Sequence, residues 1–431
     1  MVRKPLKMRA AYWISQSAFF ALLLAIPWSL ASAAQNSFPE AESKKGLQVQ
    51  IVDDALALGV HHAALNVNLV QLAATKSSPE NDSVFYECER FEFDRRYVDA
   101  LDANVRPLRN RGVLVYLIVL AYRTSDPELA RAFIHPKFDA AGPSPISAFN
   151  TSNPDSARRF RASISFLARR YARADAPPVH FIVGNEVNSH WYWYNMGKAT
   201  MDAVVEDYER AVRLCFEAVS AVSPASRVYL SLDHHWNASV TPKEPLKSFG
   251  AHAFLDAFAA RARSNGDFEW HVAFHPYPEN LFDARTWNDH LATPEFDTPK
   301  ITFRNIDVLN EFMKRPELAV HCKRRWIILS EQGFHSTDTP EGELIQAAAY
   351  AYAYRKIARL DGIDAFILHR HVDHPHEGGL HLGLWTGDKD SHPVKKKMIY
   401  DVFRLADTKE WENAFKFALP VIGIKDWSEL K

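Results

Sequence analysis

The sequence predicts an α/β protein built as one (β/α)8 TIM barrel with long loops after its strands. Three observations carry that expectation. Short apolar runs alternate with amphipathic helical stretches through residues 34–431, with no Gly/Ser/Pro linker, low-complexity tract or internal repeat between them. Such an order implies a parallel sheet covered by helices. Several runs end in polar residues, as barrel strands do at the active face. No glycine-rich turn follows any run, so an open nucleotide-binding sheet lacks its phosphate cradle.

The chain opens with Arg3, Lys4, Lys7 and Arg9, an apolar stretch, and the small-residue sequence Ala31-Ser32-Ala33-Ala34. A basic start, an apolar core and an A-x-A site describe a secretory signal peptide over residues 1–33. The expected product is a secreted or periplasmic protein with no membrane segment after cleavage. Without the four basic residues of the leader, 47 basic side chains face 52 acidic ones. That balance excludes a basic nucleic-acid-binding surface. Cys88, Cys215 and Cys322 leave at least one cysteine unpaired, and Cys215 lies on the apolar face of a helical pattern.

The strand runs are 63–69, 113–120, 179–184, 227–232, 270–274, 326–329 and 363–368, preceded by a weaker first strand near 47–51. Each is rich in β-branched or aromatic residues and too short for a helix. Helical periodicity fills the intervals at 95–109, 156–172, 200–222, 251–262, 303–314 and 342–359. The loops 122–153 and 277–302 are long enough to shape a cleft.

Two of the strands stop at a glutamate. Val183-Gly184-Asn185-Glu186 ends the fourth and Leu329-Ser330-Glu331 ends the seventh. Two carboxylates aimed into one cleft can divide acid and nucleophile duties at an acetal, which is what glycosidic cleavage needs. The sixth strand ends in His275-Pro276-Tyr277.

These three motifs, in this order, resemble the retaining glycoside hydrolases of clan A. Within that clan the chain looks closest to an uncharacterised family of secreted bacterial proteins. The resemblance implies that Glu186 is the acid/base, that Glu331 is the nucleophile, and that Tyr277 hydrogen-bonds the nucleophile. It also implies that Asn185 contacts the 2-hydroxyl of a sugar. The sequence departs from the clan at two places. Asn66 and Asn68 stand where many members carry an arginine, and His369-Arg370-His371 stands where many carry a tryptophan platform. Trp385 is the expected substitute for that platform.

Aromatic rings stack on the C–H faces of sugars, so Trp193 and Trp236 join His235, His275, His369 and His371 as expected substrate contacts. About half of the aromatics after Glu186 are expected to pack the loop instead. No cofactor or metal is expected, and the partner is a carbohydrate substrate. Two alternatives stand beside this reading. One is a carbohydrate-binding barrel without hydrolysis. The other is a metal-dependent hydrolase using the histidines and acids of residues 369–381, with Asp373, His374 or Asp233 as further donors. His61 and His62, at the start of a strand, lie at the stability end of a barrel.

Overall fold

The computed structural model describes residues 40–430; the expected signal peptide, 1–33, lies outside the described residues. Eight parallel strands form the barrel: β1 Lys45–Gln48, β2 His62–Asn68, β3 Leu114–Tyr122, β4 Val179–Val183, β5 Val228–Asp233, β6 Trp270–His275, β7 Ile327–Gln332 and β8 Ile363–Leu368. Each pairs in parallel with the next, and β8 returns to β1 through Lys45↔Phe366 and Leu47↔Leu368. Closure leaves the sheet without an edge. The weak first strand is therefore real and begins two residues before the expected range.

The helices that follow the strands are α1 Val52–Ala57, α2 Arg95–Asn110, α3 Pro154–Tyr171, α4 Met201–Ser220, α5 Ala251–Ser264, α6 Ile306–Phe312, α7 Pro340–Ile357 and α8 Met398–Leu405. Their starts are set by side-chain caps. Asp94, Asn153, Thr200 and Thr339 each accept a backbone N–H of the first turn. Pro154 and Pro340 occupy the first turns, where no intrahelical N–H bond is lost. These helices thus begin two residues earlier than periodicity alone indicates. The stretch 303–314 divides into a 3-10 turn, Phe303–Asn305, closed by a reciprocal Thr302/Asn305 capping box, and α6.

Apolar side chains alternate between two cores, as a strand buried on both faces requires. On β3, Tyr116, Ile118 and Leu120 point into the barrel, whereas Val115, Leu117 and Val119 meet the helices. The lower barrel interior is polar-aromatic. Tyr116 contacts the rings of His62, His180 and Tyr229, and Tyr229 contacts His271. Burial pushes His62 down to about 3 and holds His180 and His271 well below the ordinary histidine value. His62 bonds Tyr116 and the Ser43 carbonyl, in keeping with a stability role.

An antiparallel hairpin, Asp82–Tyr86 with Glu89–Phe93, extends the β2–α2 connection. A short strand, Ile146–Ser147, pairs back onto the end of β3. The three cysteines are free, with Cys215 buried in α4. No helix among the described residues is long and apolar enough to cross a membrane.

Candidate active site

The carboxylates meet at the C-terminal end of the barrel. After β4 the chain turns sharply at Gly184, with φ +73°, and a Cβ there would come within 2.8 Å of the Tyr194 ring. Glu186 itself sits in the left-handed region at φ +42° and ψ +53°. A non-glycine residue holds that conformation only when its surroundings impose it. Here the Glu186 N–H donates to Ser231 Oγ at 3.0 Å, and the Val187–Ser189 turn follows at once.

His275 Nδ1 lies 2.9 Å from Glu186 Oε1, and its Nε2 lies 3.0 Å from Ser330 Oγ. The Tyr277 hydroxyl donates to Glu331 Oε1 at 3.1 Å. One oxygen of Glu186, one of Glu331 and a ring nitrogen of His275 all lie within 4.8 Å of one another.

Burial pushes the Glu186 carboxyl above its ordinary value. The His275 contact opposes that rise, and the Asp233 and Glu331 charges add to it. Burial alone would depress His275, but Glu331, Glu186 and Asp233 outweigh it and the imidazole ends above its usual value. Both groups are raised and one short contact joins them, so the pair titrates together. Tyr277 is driven well above an ordinary phenol, first by burial and then by Glu331, and so remains a neutral donor.

The two glutamates open into a cleft of about 900 Å³. Asn185, Tyr277, His235, Trp193 and His369 line it with them. His275 lies buried beneath, in contact with Glu186. Three other expected contacts are placed elsewhere. Trp236 is fully buried, stacked on His252, with its Nε1 donating to the Phe296 carbonyl at 2.9 Å. His371 and Trp385 turn away to Asp54, whose carboxylate accepts from Trp385 at 2.8 Å and from Tyr400 at 2.7 Å and lies 2.9 Å from His371 Nε2. Burial opposes ionisation of Asp54, but these bonds outweigh it and bring Asp54 down to about 2. The site expected for a tryptophan platform is thus a structural knot between α1 and the β8 loop.

The structure adds residues to the cleft that sequence reasoning did not assign to substrate. Tyr122 ends β3 near Glu331, whose charge, after burial, raises the phenol. Gln48 at the end of β1 and Asn66 on β2 also line it. Their strand-end positions were the available signal. Glu377 had none, because it arrives on the loop after β8. Its carboxylate accepts from Arg370 Nη1 at 3.0 and 3.1 Å and lies 2.8 Å from His369 Nε2. Asn68, by contrast, caps a short helix by accepting from Val70 N–H.

The 369–381 segment does not gather its donors at one point. His369 faces Gln48 and Glu377, His371 faces Asp54, and Asp373 accepts from Gly383 N–H at 2.6 Å and Lys397 Nζ at 3.1 Å. These partners lie on different elements.

The described residues thus form a closed (β/α)8 barrel with Glu186 just after its fourth strand and Glu331 near the end of its seventh. The chain belongs to a family of unknown function, DUF5722, whose profile it matches over residues 37–430. No protein of curated function matches the sequence. Among solved structures it is similar to a hyperthermophilic β-glucosidase from Pyrococcus furiosus, with TM-score 0.52, 14% identity and 86% of each chain covered. It is also similar to a family 39 glycoside hydrolase from Bacteroides cellulosilyticus WH2 (TM-score 0.50, 14% identity), covering 82% of this chain and 59% of that one. A third likeness is to a monomeric β-xylosidase from Caulobacter crescentus CB15, with TM-score 0.50, 15% identity and coverage of 87% and 70%. At these identities the likeness is one of fold.

Proposed function

We propose that this protein is a retaining glycoside hydrolase acting on a poly- or oligosaccharide, with Glu186 as acid/base and Glu331 as nucleophile. The observation that carries the reading is the approach of the two carboxylates to within 4.8 Å. Retaining enzymes hold the pair about 5–5.5 Å apart, whereas inverting enzymes leave room for a water at about 6.5–9.5 Å. The fold neighbours named above include a β-glucosidase and a β-xylosidase, which supports the same reading.

In the first step a Glu331 oxygen attacks the anomeric carbon and the bond to the leaving oxygen breaks. Glu186 gives that oxygen its proton, so the products are a glycosyl ester and a free alcohol. Ester formation removes the Glu331 charge, which weakens the hold of Glu186 on a proton and prepares it to act as base. In the second step water attacks the ester, its proton passes to Glu186, and Glu331 leaves as the carboxylate. Tyr277 orients Glu331 throughout. Asn185 is placed to donate to the 2-hydroxyl, where the contact strengthens as charge grows at the anomeric carbon. Export through the N-terminal leader is part of the same proposal, since a polysaccharide substrate lies outside the cell.

The test is kinetic. A panel of activated aryl glycosides should be hydrolysed with retention, Glu331→Gln should abolish turnover, and azide should restore Glu186→Ala by replacing the water as nucleophile. Inverted product, or full activity in Glu331→Gln, would refute the mechanism. Binding without hydrolysis is the competing reading, motivated by Asn66 and Asn68 standing where many clan members carry an arginine and by His369-Arg370-His371 standing where many carry a tryptophan. Glycan binding unchanged in the double Glu→Gln variant, with no product from the native protein, would establish it.

A further inference from the structure

Asp233 is a buried carboxylate directly beside the acid, yet the mechanism gives it no task. It ends β5, the neighbour of β4 in the barrel, with about 2% of its surface exposed. Its Oδ1 accepts from Asn188 Nδ2 at 2.7 Å and from the His235 N–H at 2.8 Å, and its Oδ2 accepts from Ser189 Oγ. The contact with Asn188 is reciprocal, because the Asp233 N–H donates to Asn188 Oδ1 at 2.9 Å. Asn188 and Ser189 belong to the 3-10 turn that starts at Glu186. The Ser231 hydroxyl that receives the Glu186 N–H is two residues earlier on the same strand.

We propose that Asp233 is a positioning residue for Glu186: its buried carboxylate clamps the Val187–Ser189 turn and so holds the acid in its left-handed conformation over the cleft. The catalytic consequence rests on Glu186 being the acid/base.

A glutamate at positive φ has a lower-energy alternative, and release of the turn lets the backbone relax toward it. The three-residue turn cannot relax while two of its side chains are tied to one carboxylate. Of the ordinary residues only Asp or Glu can accept this many bonds at a single group. The retained charge also faces Glu186 and favours its protonated form. Other charged or titratable groups act on the pair: His275 on β6, Glu331 on β7, and His234, His235 and Lys300 around Asp233. Burial opposes ionisation of Asp233, but contacts with His235, His234 and Ser189 hold it well below the usual carboxylate range.

Asp233→Asn removes the charge at nearly constant volume, and Asp233→Ala removes the clamp. The ¹³C titration of the Glu186 carboxyl needs no substrate and should move down by about half a pH unit or more in Asp233→Asn. On glycosides with a poor leaving group, kcat/KM should fall about 10-fold or more. With 2,4-dinitrophenyl glycosides, whose departure needs little acid assistance, the glycosylation rate should change less than about 3-fold. The basic limb of the kcat/KM profile should shift to lower pH with the titration. A Glu186 titration and a leaving-group dependence both unchanged in Asp233→Asn, even with a lower Tm, would overturn the proposal and leave Asp233 a structural residue. Asp233→Ala should reproduce the leaving-group dependence with a larger loss; equal losses on good and poor leaving groups would also overturn it. The glycosidase reading fails separately: if the native protein hydrolyses no aryl glycoside while the titration still shifts, the coupling of Asp233 to Glu186 stands and the assigned reaction does not.

Discussion

Neutralising Glu331 should lower the proton affinity of Glu186 by an amount that the structure bounds. Oxygens of the two carboxylates lie within 4.8 Å of each other, and unit charges at that outer limit interact by about 0.9 kcal/mol at a dielectric near 80 and about 3.5 kcal/mol near 20. At about 1.4 kcal/mol per pH unit, Glu331→Gln should move the Glu186 midpoint down by between about 0.6 and 2.5 pH units. The midpoint should stay above that of an ordinary glutamate, because burial is the first cause of its rise and the substitution leaves burial in place. The sign follows from charge: a neighbouring anion favours the protonated acid, so its removal favours release. The assay is a ¹³C or infrared titration of the Glu186 carboxyl in native protein and variant. Trapping the native enzyme with a 2-deoxy-2-fluoroglycoside should give the same downward movement, since the ester also removes the charge. A Glu186 titration unaltered by either treatment would mean that the two carboxylates do not sense each other. The retaining pair would then be lost as an explanation.

Three further outcomes follow from the cleft and its walls. Glu377→Gln should raise KM more than it lowers kcat, by about 10-fold, because a carboxylate oriented by Arg370 and His369 is placed to accept a sugar hydroxyl; steady-state kinetics on one aryl glycoside checks this. Asp54→Asn should cost about 2–3 kcal/mol in denaturant unfolding by weakening the bonds from His371, Trp385 and Tyr400. Its carboxylate is depressed to about 2, so the stability it adds is fully present above pH ~4, declines as pH falls from there, and is gone once pH has passed below the folded-state value of about 2. Chelators should leave activity intact and elemental analysis should find no stoichiometric transition metal, since the proposed mechanism takes its acid and its nucleophile from Glu186 and Glu331.

The barrel was legible because its determinants are local and repetitive. Runs such as 113–120 and 363–368 are apolar on both faces, a pattern that only a doubly buried strand tolerates. The periodicity between them marks helices whatever they pack against. Element ends were less legible, since Pro154 and Pro340 extend helices past the point where apolar periodicity begins. The hairpin at Asp82–Phe93 was missed although buried Phe91 and Phe93 alternate with Arg90 and Glu92, because it interrupts the strand-then-helix order from which the barrel was read.

Glu186, Glu331 and Tyr277 were visible for a similar reason: each stands directly after a strand, and a barrel delivers strand ends to one rim. That reasoning stops at the loops. Nothing in the types of Trp236, His371 or Trp385 says whether a ring turns toward the cleft or toward Asp54 and the Phe296 carbonyl. The Asp233 clamp was hidden because its partners Asn188 and Ser189 come from the turn after β4, and Glu377 because it stands within a loop and not at a strand end. The chain alone determined which strands exist and which residues stand at their ends, since backbone pattern and burial are properties of neighbouring residues. Only the tertiary structure decided which of those side chains share a cleft, because hydrogen-bond partners 45 to 331 residues apart become neighbours only when the barrel closes.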